Sequence, residues 1–179
     1  MRKNRAFTLI ELLILMVAAV LVTVLIFSLL MQSADKSSLN SRKNFAVKNL
    51  KITSRSIVMS SNNLTGFSKG FLSYGLQPDT LEANRFLRDK FASLISYSKF
   101  LDDEKEFRNF EVLPVKNPSG FVLLNGTQVG FYYLNENCGD VEDSTKACGL
   151  VIYDVNGKMK PNKLNKDQFT LNLYRNGIN

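Results

Sequence analysis

Residues 7 to 31 read FTLIELLILMVAAVLVTVLIFSLLM, and this stretch decides how the rest of the 179-residue chain is organised. Leu12 to Met31 contains 18 apolar residues out of 20, interrupted only by Thr23 and Ser28. A helix of 20 residues is about 30 Å long, which matches the hydrocarbon core of a bilayer. We therefore predict a transmembrane helix over about residues 9 to 31.

Three basic residues, Arg2, Lys3 and Arg5, lie on the N-terminal side of the apolar run. Because positive charges flanking a membrane span stay on the cytoplasmic side, the N-terminus is predicted to be cytoplasmic. The chain after about Met31 is then extracytoplasmic. This arrangement is that of a single-pass protein of the cytoplasmic (inner) membrane.

The composition excludes several kinds of catalytic and metal site. The chain has no His, no Trp and two Cys, and its formal net charge is +7. Without His there is no Ser-His-Asp or Cys-His catalysis and no His-liganded zinc. The sequence also has no P-loop, GxGxxG or CxxC motif. We expect that the protein is not an enzyme and requires no cofactor, with a hydrolase based on Asp and Glu as the remaining enzymatic alternative.

The two cysteines, Cys138 and Cys148, support the extracytoplasmic placement. Two Cys without His make a poor metal site, whereas disulfides persist outside the reducing cytosol. We predict a Cys138–Cys148 disulfide, which would stabilise the fold by about 2–3 kcal/mol.

Glu11 is the one charge in the apolar run. A carboxylate near the bilayer centre costs about 2.5–3.5 kcal/mol, and less near the bilayer edge. Glu11 is therefore either a tolerated interfacial charge or a group that finds a buried positive partner. An ordinary secretory signal is a further alternative, but no A-x-A cleavage site follows the run.

Ala6-Phe7-Thr8-Leu9-Ile10-Glu11-Leu12-Leu13, preceded by the short basic leader, resembles the class III leader of type IV pilins and type II secretion pseudopilins. The resemblance implies that a prepilin peptidase cleaves between Ala6 and Phe7 and methylates the new amino group of Phe7. It also implies that, in a filament, the Glu11 carboxylate neutralises the Phe7 amine of a neighbouring subunit. Breaking such a buried pair costs about 3–5 kcal/mol, so the pair would set the register of assembly.

The sequence departs from the family pattern at two points. Ala6 stands where the family usually has Gly, and the small Ala side chain is still expected to fit the cleavage site. The apolar run contains no Pro, so it has no built-in loss of a helical hydrogen bond. Unwinding of this helix during assembly is therefore less expected than in relatives with the proline.

The N-terminal helix is predicted to continue to about residue 60, because apolar residues recur at helical spacing. Basic residues crowd this continuation, with Asp35 as the only acid. They are Lys36, Arg42, Lys43, Lys48, Lys51 and Arg55. A solvated face near anionic headgroups is the favoured interpretation, and a DNA-binding stripe is the alternative.

The remainder is predicted to be a small domain with a second helix and an antiparallel sheet. Asp79 as N-cap and Glu82 at the third helical position resemble a capping box, which starts a helix running from Thr80 to Leu101. Short β-rich runs follow, with Asn125-Gly126 as a hairpin turn. These runs are Phe110 to Val115, Gly120 to Leu124, Val129 to Leu134, Leu150 to Tyr153 and Phe169 to Leu173. The predicted class is α+β, pilin-like, with four or five strands, and with a leader at 1–6, an N-terminal helix at 7–60 and a C-terminal domain at 61–179.

Asp154, Asn156 and Asp167 are candidate calcium ligands, because Ca²⁺ prefers carboxylate and amide oxygens in Gly-containing loops. Some major pseudopilins bind calcium in a C-terminal loop, so the resemblance also points this way. Four nearby lysines argue against it: Lys158, Lys160, Lys163 and Lys166. The favoured alternative is a hairpin in which Asn156-Gly157 makes the turn and Asp167 caps the backbone or pairs with lysine.

The predicted function is that of a structural subunit of a type IV pilus or a type II secretion pseudopilus, polymerised through its N-terminal helix. The alternative is a minor pilin that acts in adhesion or DNA uptake at the filament tip. Expected partners are copies of itself and other pilins or pseudopilins, the prepilin peptidase, the inner-membrane assembly platform, and membrane lipid before assembly. Nucleic acid is not an expected partner of the main function.

Overall fold

The computed structural model describes residues 8–60, 76–111, 117–136, 138–140 and 146–179. It has an α+β architecture, in which a long N-terminal apolar helix precedes a small domain with an antiparallel sheet. The predicted leader, Phe7, and residues 112–115 of the predicted strand Phe110 to Val115 lie outside the described residues. The other two residues of that predicted strand, Phe110 and Glu111, are not in a strand, because Phe110 N bonds to Phe107 O at the end of a 3-10 turn and Glu111 N bonds to the Gln168 side chain. The chain divides into two compact units, Met1–Asn40 and Ser41–Asn179.

Helix α1 runs from Leu9 to Ser60, a length of 52 residues. No Pro or Gly occurs in this range, so no residue removes a backbone hydrogen bond or adds backbone freedom. The long N-terminal helix is therefore confirmed. In the second unit, Ala46 and Leu50 of α1 are fully buried, as their helical spacing indicates.

Helix α2 spans Leu81–Ala92 and begins one residue later than predicted. Its N-cap is Thr80, whose hydroxyl accepts a hydrogen bond of 3.2 Å from the backbone N–H of Ala83. The prediction of Asp79 as N-cap is wrong, because Asp79 has a left-handed φ of 60° and belongs to the preceding turn. Glu82 consequently occupies the second helical position rather than the third.

The C-terminal end of the predicted second helix is also wrong. Helix α2 ends at Ala92, and Tyr97–Leu101 forms strand β1 instead of continuing the helix. The apolar spacing of the segment suits a helix, but pairing with the next strand supplies the backbone hydrogen bonds. The rings of Tyr97 and Phe100 stack at 4.5 Å on this strand.

The sheet has six strands in sequential order among the residues described, and each strand pairs antiparallel with its neighbours. They are β1 (Tyr97–Leu101), β2 (Ser119–Leu123), β3 (Gln128–Tyr133), β4 (Gly149–Asp154), β5 (Gln168–Tyr174) and β6 (Gly177–Ile178). The two edge strands are additional to the predicted set. The Asn125-Gly126 turn is confirmed, since Gly126 has a φ of 86° and Asn125 Oδ1 accepts a 3.1 Å bond from Thr127 N.

Both faces of the sheet are covered, which explains why every residue of β3 is buried. On one face, a short 3-10 helix (Glu104–Phe107) places Phe107 in a cluster with Tyr132 and Ile152. On the other face, Phe91 of α2 lies 4.8 Å from the ring of Phe131. Residues that are adjacent along β3 therefore enter two different cores.

Candidate functional site

The start of α1 holds the one acidic side chain of the apolar run. Glu11 Oε2 accepts hydrogen bonds of 2.9 Å from both the backbone N–H and the hydroxyl of Thr8. The Thr8 hydroxyl in turn accepts a 3.3 Å bond from the backbone N–H of Glu11. This reciprocal pattern is a capping box, and it satisfies two backbone donors that a helix N-terminus leaves unpaired.

The capping box gives Glu11 a local role that the sequence interpretation did not assign, although Thr8-Leu9-Ile10-Glu11 carries its S/T-x-x-E signature. Both bonds to the carboxylate use Oε2. Oε1 has no hydrogen-bond partner in the described part of the chain. The predicted cleavage-site residues, Ala6 and Phe7, lie outside the described residues.

The apolar part of α1 presents hydrophobic side chains all round. Every residue from Leu9 to Met31 is exposed within the chain itself, and this part of the helix is long and apolar enough to cross a membrane. Its two hydroxyl side chains bond to backbone carbonyls of the same helix: Thr23 to Ala19 O at 2.6 Å and Ser28 to Leu25 O at 2.8 Å. These contacts suit a helix in lipid, because polar groups there need internal partners.

The cysteine pair lies between β3 and β4. Cys138 and Cys148 form a disulfide, with their Cα atoms 4.7 Å apart. Both side chains are buried, and Cys148 directly precedes β4. The predicted disulfide is thus present, and it joins the connection between β3 and β4 to the sheet.

The candidate calcium ligands lie at the ends of the β4–β5 loop, which we define as residues 155–167. Asp154 ends β4 and Asp167 immediately precedes β5, so antiparallel pairing brings the two acids to one end of the sheet. Asp154, Asn156 and Asp167 are all buried. The structure therefore brings together the three residues that the sequence singled out.

The carboxylate oxygens of both acids accept hydrogen bonds from the chain. Asp167 accepts bonds of 2.7 Å from the backbone N–H groups of Asn162 and Lys163. Asp154 accepts from the backbone N–H of Asn156 at 3.1 Å and from Gln168 Nε2 at 2.9 Å. Asp167 thus caps the backbone of the loop, as the alternative interpretation proposed.

Burial gives this cluster unusual electrostatics. It raises the pKa of Asp154 to about 6, and the neighbouring charge of Asp167 acts in the same direction. Asn156 Oδ1 is buried without a hydrogen-bond partner among the described residues. A divalent cation would gain one vacant amide oxygen and two carboxylates, although no three acidic or cysteine side chains converge in the described ranges. Calcium binding stays a prediction.

Gln168 is a residue of this cluster that the sequence interpretation did not identify. Its amide nitrogen donates to Asn109 O at 2.6 Å, and its amide oxygen accepts from Glu111 N at 2.8 Å. These contacts tie the start of β5 to the segment that follows the 3-10 helix, far earlier in the chain. No local pattern marks such a residue, because its partners are distant in sequence.

A second polar cluster surrounds Asp102. Its Oδ1 accepts bonds from Arg88, from Arg85 Nε at 3.3 Å and from Ser119 Oγ at 3.1 Å. Burial raises the pKa of the Asp102 carboxyl, but the bond and charge of Arg88, together with the bonds from Ser119 and Arg85, outweigh this and hold the pKa below its ordinary value. The cluster joins α2 to β1 and β2, which is a structural role.

One basic residue of α1, Lys43, contacts an aromatic ring of the sheet domain. The Lys43 ammonium lies 3.8 Å from the centre of the Phe169 ring at the start of β5. This cation–π contact attracts the Lys43 ammonium to the ring, so Lys43 already has a partner within the sheet domain. For the other basic residues of the segment, DNA binding stays a prediction.

Comparison with protein-family models, with curated proteins and with solved structures finds no match for this chain. The functional assignment therefore depends on the residues themselves.

Proposed function

We propose that this protein is a structural subunit of a type IV pilus or a type II secretion pseudopilus. In this proposal, the chain is anchored in the cytoplasmic membrane by α1, with its N-terminus on the cytoplasmic side. A prepilin peptidase cleaves between Ala6 and Phe7 and methylates the amine of Phe7. The processed subunit then polymerises through α1, and the sheet domain covers the outside of the filament.

The observation that carries the proposal is a single carboxylate at the start of a long apolar helix. Glu11 follows a basic leader, and the side chains from Leu9 to Met31 are exposed. A charge at this position is costly both in lipid and in an apolar bundle of helices unless it is paired. The Phe7 amine of a neighbouring subunit is a partner of the right charge, and Oε1 is an acceptor that the capping box does not use.

The same helix serves two environments in this mechanism. Before assembly, lipid covers the apolar side chains of Leu9 to Met31, and the hydroxyls of Thr23 and Ser28 are satisfied within the helix. After assembly, equivalent helices cover one another. Because each subunit leaves lipid for an equally apolar bundle, the buried charge pair rather than hydrophobicity sets the register.

The disulfide supports the placement of the second unit outside the cytoplasm. A Cys138–Cys148 disulfide persists in an oxidising compartment, whereas the cytosol keeps most thiols reduced. The basic residues before the apolar run favour the same orientation.

Replacement of Glu11 tests the proposal. We expect Glu11→Ala to leave cleavage largely intact and to abolish incorporation into filaments. Processing is followed by the mass of the chain in membrane fractions, and incorporation by the amount of the chain in sheared surface fibres. Normal incorporation of the variant would contradict the assembly role of Glu11.

A matched variant separates assembly from helix capping. Thr8→Ala removes the hydroxyl half of the capping box but keeps the Glu11 carboxylate, so incorporation should persist. Thr23→Ala, in the same apolar run, controls for the loss of a polar side chain. If Thr8→Ala is processed normally and reduces incorporation as strongly as Glu11→Ala, then Glu11 acts only as a capping residue.

The amount of the chain in sheared fibres also distinguishes its roles within the family. Dominance among fibre proteins would identify a major pilin, and trace amounts a minor pilin. Absence from surface fibres, together with normal processing, would indicate a periplasmic pseudopilin or an unassembled pool.

A further inference from the structure

The β4–β5 loop has a surface that combines positive charge with apolar side chains. Its four lysines are exposed, and the side chains of Met159 and Leu164 lie between them in sequence and are also exposed. The lysines are Lys158, Lys160, Lys163 and Lys166. None of the four forms an ion pair within the described part of the chain. We call these six exposed residues the basic loop.

The two acids of this region, Asp154 and Asp167, are buried, whereas the four lysines are exposed. Asp167 lies under the loop, where its two carboxylate oxygens accept the backbone N–H groups of Asn162 and Lys163. Asp154 is fully buried and bonds to Gln168. The side chain of Asn156 donates to Lys160 O at 3.2 Å and adds another anchor. Buried polar groups therefore fix the backbone of the loop, while its lysines and two apolar side chains point outward.

One exposed acid lies beside the basic loop. The Glu111 carboxylate accepts a 2.6 Å bond from the backbone N–H of Leu164. Four lysines against this single exposed carboxylate still leave a strongly positive surface among the described residues. An anionic partner is therefore favoured. The exposed Met159 and Leu164 indicate that this partner also has an apolar region that can cover them.

The loop is held to a part of α1 that is close in sequence to the apolar run. Lys43 contacts the ring of Phe169, two residues after the end of the loop. Lys43 itself follows soon after Met31, the last residue of the apolar run. A fully extended chain between Met31 and Lys43 spans at most about 40 Å, so insertion of the apolar run tethers the loop to the membrane by a short segment.

We propose that the basic loop binds the interface of an anionic phospholipid membrane before the subunit assembles. This inference rests on the membrane insertion of α1 in the proposed function. Lysine ammonium groups contact lipid phosphates, and Met159 and Leu164 enter the headgroup region. Basic residues beside apolar ones are the combination by which peripheral segments bind such surfaces.

Nucleic acid is the other anionic macromolecule that four lysines attract. Proteins that bind single strands add exposed aromatic rings on which bases stack, and duplex readers place Arg, Asn or Gln against base edges. The basic loop instead exposes two aliphatic side chains, and Lys43 covers the adjacent Phe169 ring. These contacts favour a lipid interface, and binding of nucleic acid becomes an outcome of the test.

The test uses the full chain reconstituted in liposomes, with a polarity-sensitive dye on Met159→Cys and the native disulfide left intact. The liposomes contain phosphatidylcholine alone or with about 30% phosphatidylglycerol, and we expect the anionic lipid to shift the dye emission to the blue and raise it about twofold. The control position is Gln77→Cys. Gln77 is exposed, and it lies two residues before Asp79, whose backbone N–H bonds to Tyr133 O. Tyr133 is at the end of β3 opposite Gln128 and the loop.

Two variants separate the basic loop from net charge. Changing its four lysines to Gln should abolish the response to phosphatidylglycerol. A control that changes four exposed lysines elsewhere to Gln should retain it. The control positions are Lys48, Lys90, Lys105 and Lys146. Raising NaCl to about 0.5 M should also suppress the response without any mutation at the lysines, because salt screens exposed charges.

Each outcome either supports or overturns the proposal. Equal emission at Met159→Cys in both liposomes overturns it, and so does an equal loss of response in the two lysine variants. Duplex DNA binding that the loop variant abolishes, without a lipid response, would identify nucleic acid instead. Carbonate extraction measures insertion separately. If the chain inserts but the loop does not respond, this proposal fails and the proposed function stands. If the chain does not insert, both this proposal and the membrane anchoring in the proposed function are refuted.

Discussion

The stability of the sheet domain should depend on pH through Asp154. Burial raises the pKa of this carboxyl from an ordinary 3.8 to about 6. Between these two values, the folded state retains a proton that the unfolded state has released. Because the unfolded state then binds fewer protons, the free energy of unfolding falls as pH rises from about 4 to 6.

The structure also sets the size of this effect. The pKa difference at Asp154 corresponds to at most about 3 kcal/mol. Structural relaxation and water penetration around a buried charge lower its cost, so we expect a loss of about 1–2 kcal/mol between pH 4 and pH 7. Asp102 and Glu106 have lowered pKa values and act in the opposite direction at lower pH. A comparison with a variant at position 154 removes their contribution.

The assay is urea unfolding of the full chain in mild detergent, followed by near-UV circular dichroism. The chain has no Trp, and the buried rings of Tyr132 and Tyr153 report the folding of the sheet domain. The quantity of interest is the difference in unfolding free energy between wild type and Asp154→Asn at each pH. If this difference is the same at pH 4 and pH 7, then Asp154 is not desolvated in the fold and the reasoning fails.

Adding Ca²⁺ extends this experiment to the predicted metal site. An ion bound by Asp154, Asn156 and Asp167 would compensate the buried charges, so calcium should raise the urea midpoint of wild type at pH 7. Asp154→Asn should lose most of that increase. An unchanged midpoint of wild type with calcium and with a chelator would contradict the calcium prediction.

Two further substitutions test the packing of the sheet domain by the same unfolding assay. Replacing Cys138 and Cys148 by Ser should lower the unfolding free energy by about 2–3 kcal/mol, and reduction of wild type should give the same loss. Asn84→Ala should cost about 2–5 kcal/mol, because buried Asn84 accepts from Tyr133 N at 2.7 Å and donates to Asn117 O at 2.9 Å. The exposed Asn172→Ala serves as the control, and a loss as small as the control's would contradict the role given to Asn84.

The fold was predictable where local signals were strong. The absence of Pro and Gly over a long periodic segment indicated α1, and Asn125-Gly126 indicated the β2–β3 turn. The boundaries of α2 were not predictable in the same way. Asp79 and Thr80 are both good N-cap residues, and only the left-handed φ of Asp79 decides between them.

Strand β1 shows a different limit of the sequence. Tyr97–Leu101 follows an apolar spacing that suits a helix, and its conformation depends on pairing with β2, which comes only after the 3-10 helix. The candidate site was likewise only partly predictable from the sequence. The sequence singled out Asp154, Asn156 and Asp167, but not Gln168, which bonds to Asp154 and also to a segment that precedes β2.

The sequence by itself determined that this protein has one long apolar helix, with a single carboxylate near its start and a cysteine pair in the domain that follows. Those features depend on composition and on the 3.6-residue helical period, and both can be read from residues that are close together in the sequence. Only the tertiary structure decided that Gln168 bonds to Asp154 and that the loop acids are buried while the lysines stay exposed. Hydrogen-bond partners and burial depend on how the chain packs in three dimensions, and no spacing along the sequence specifies them.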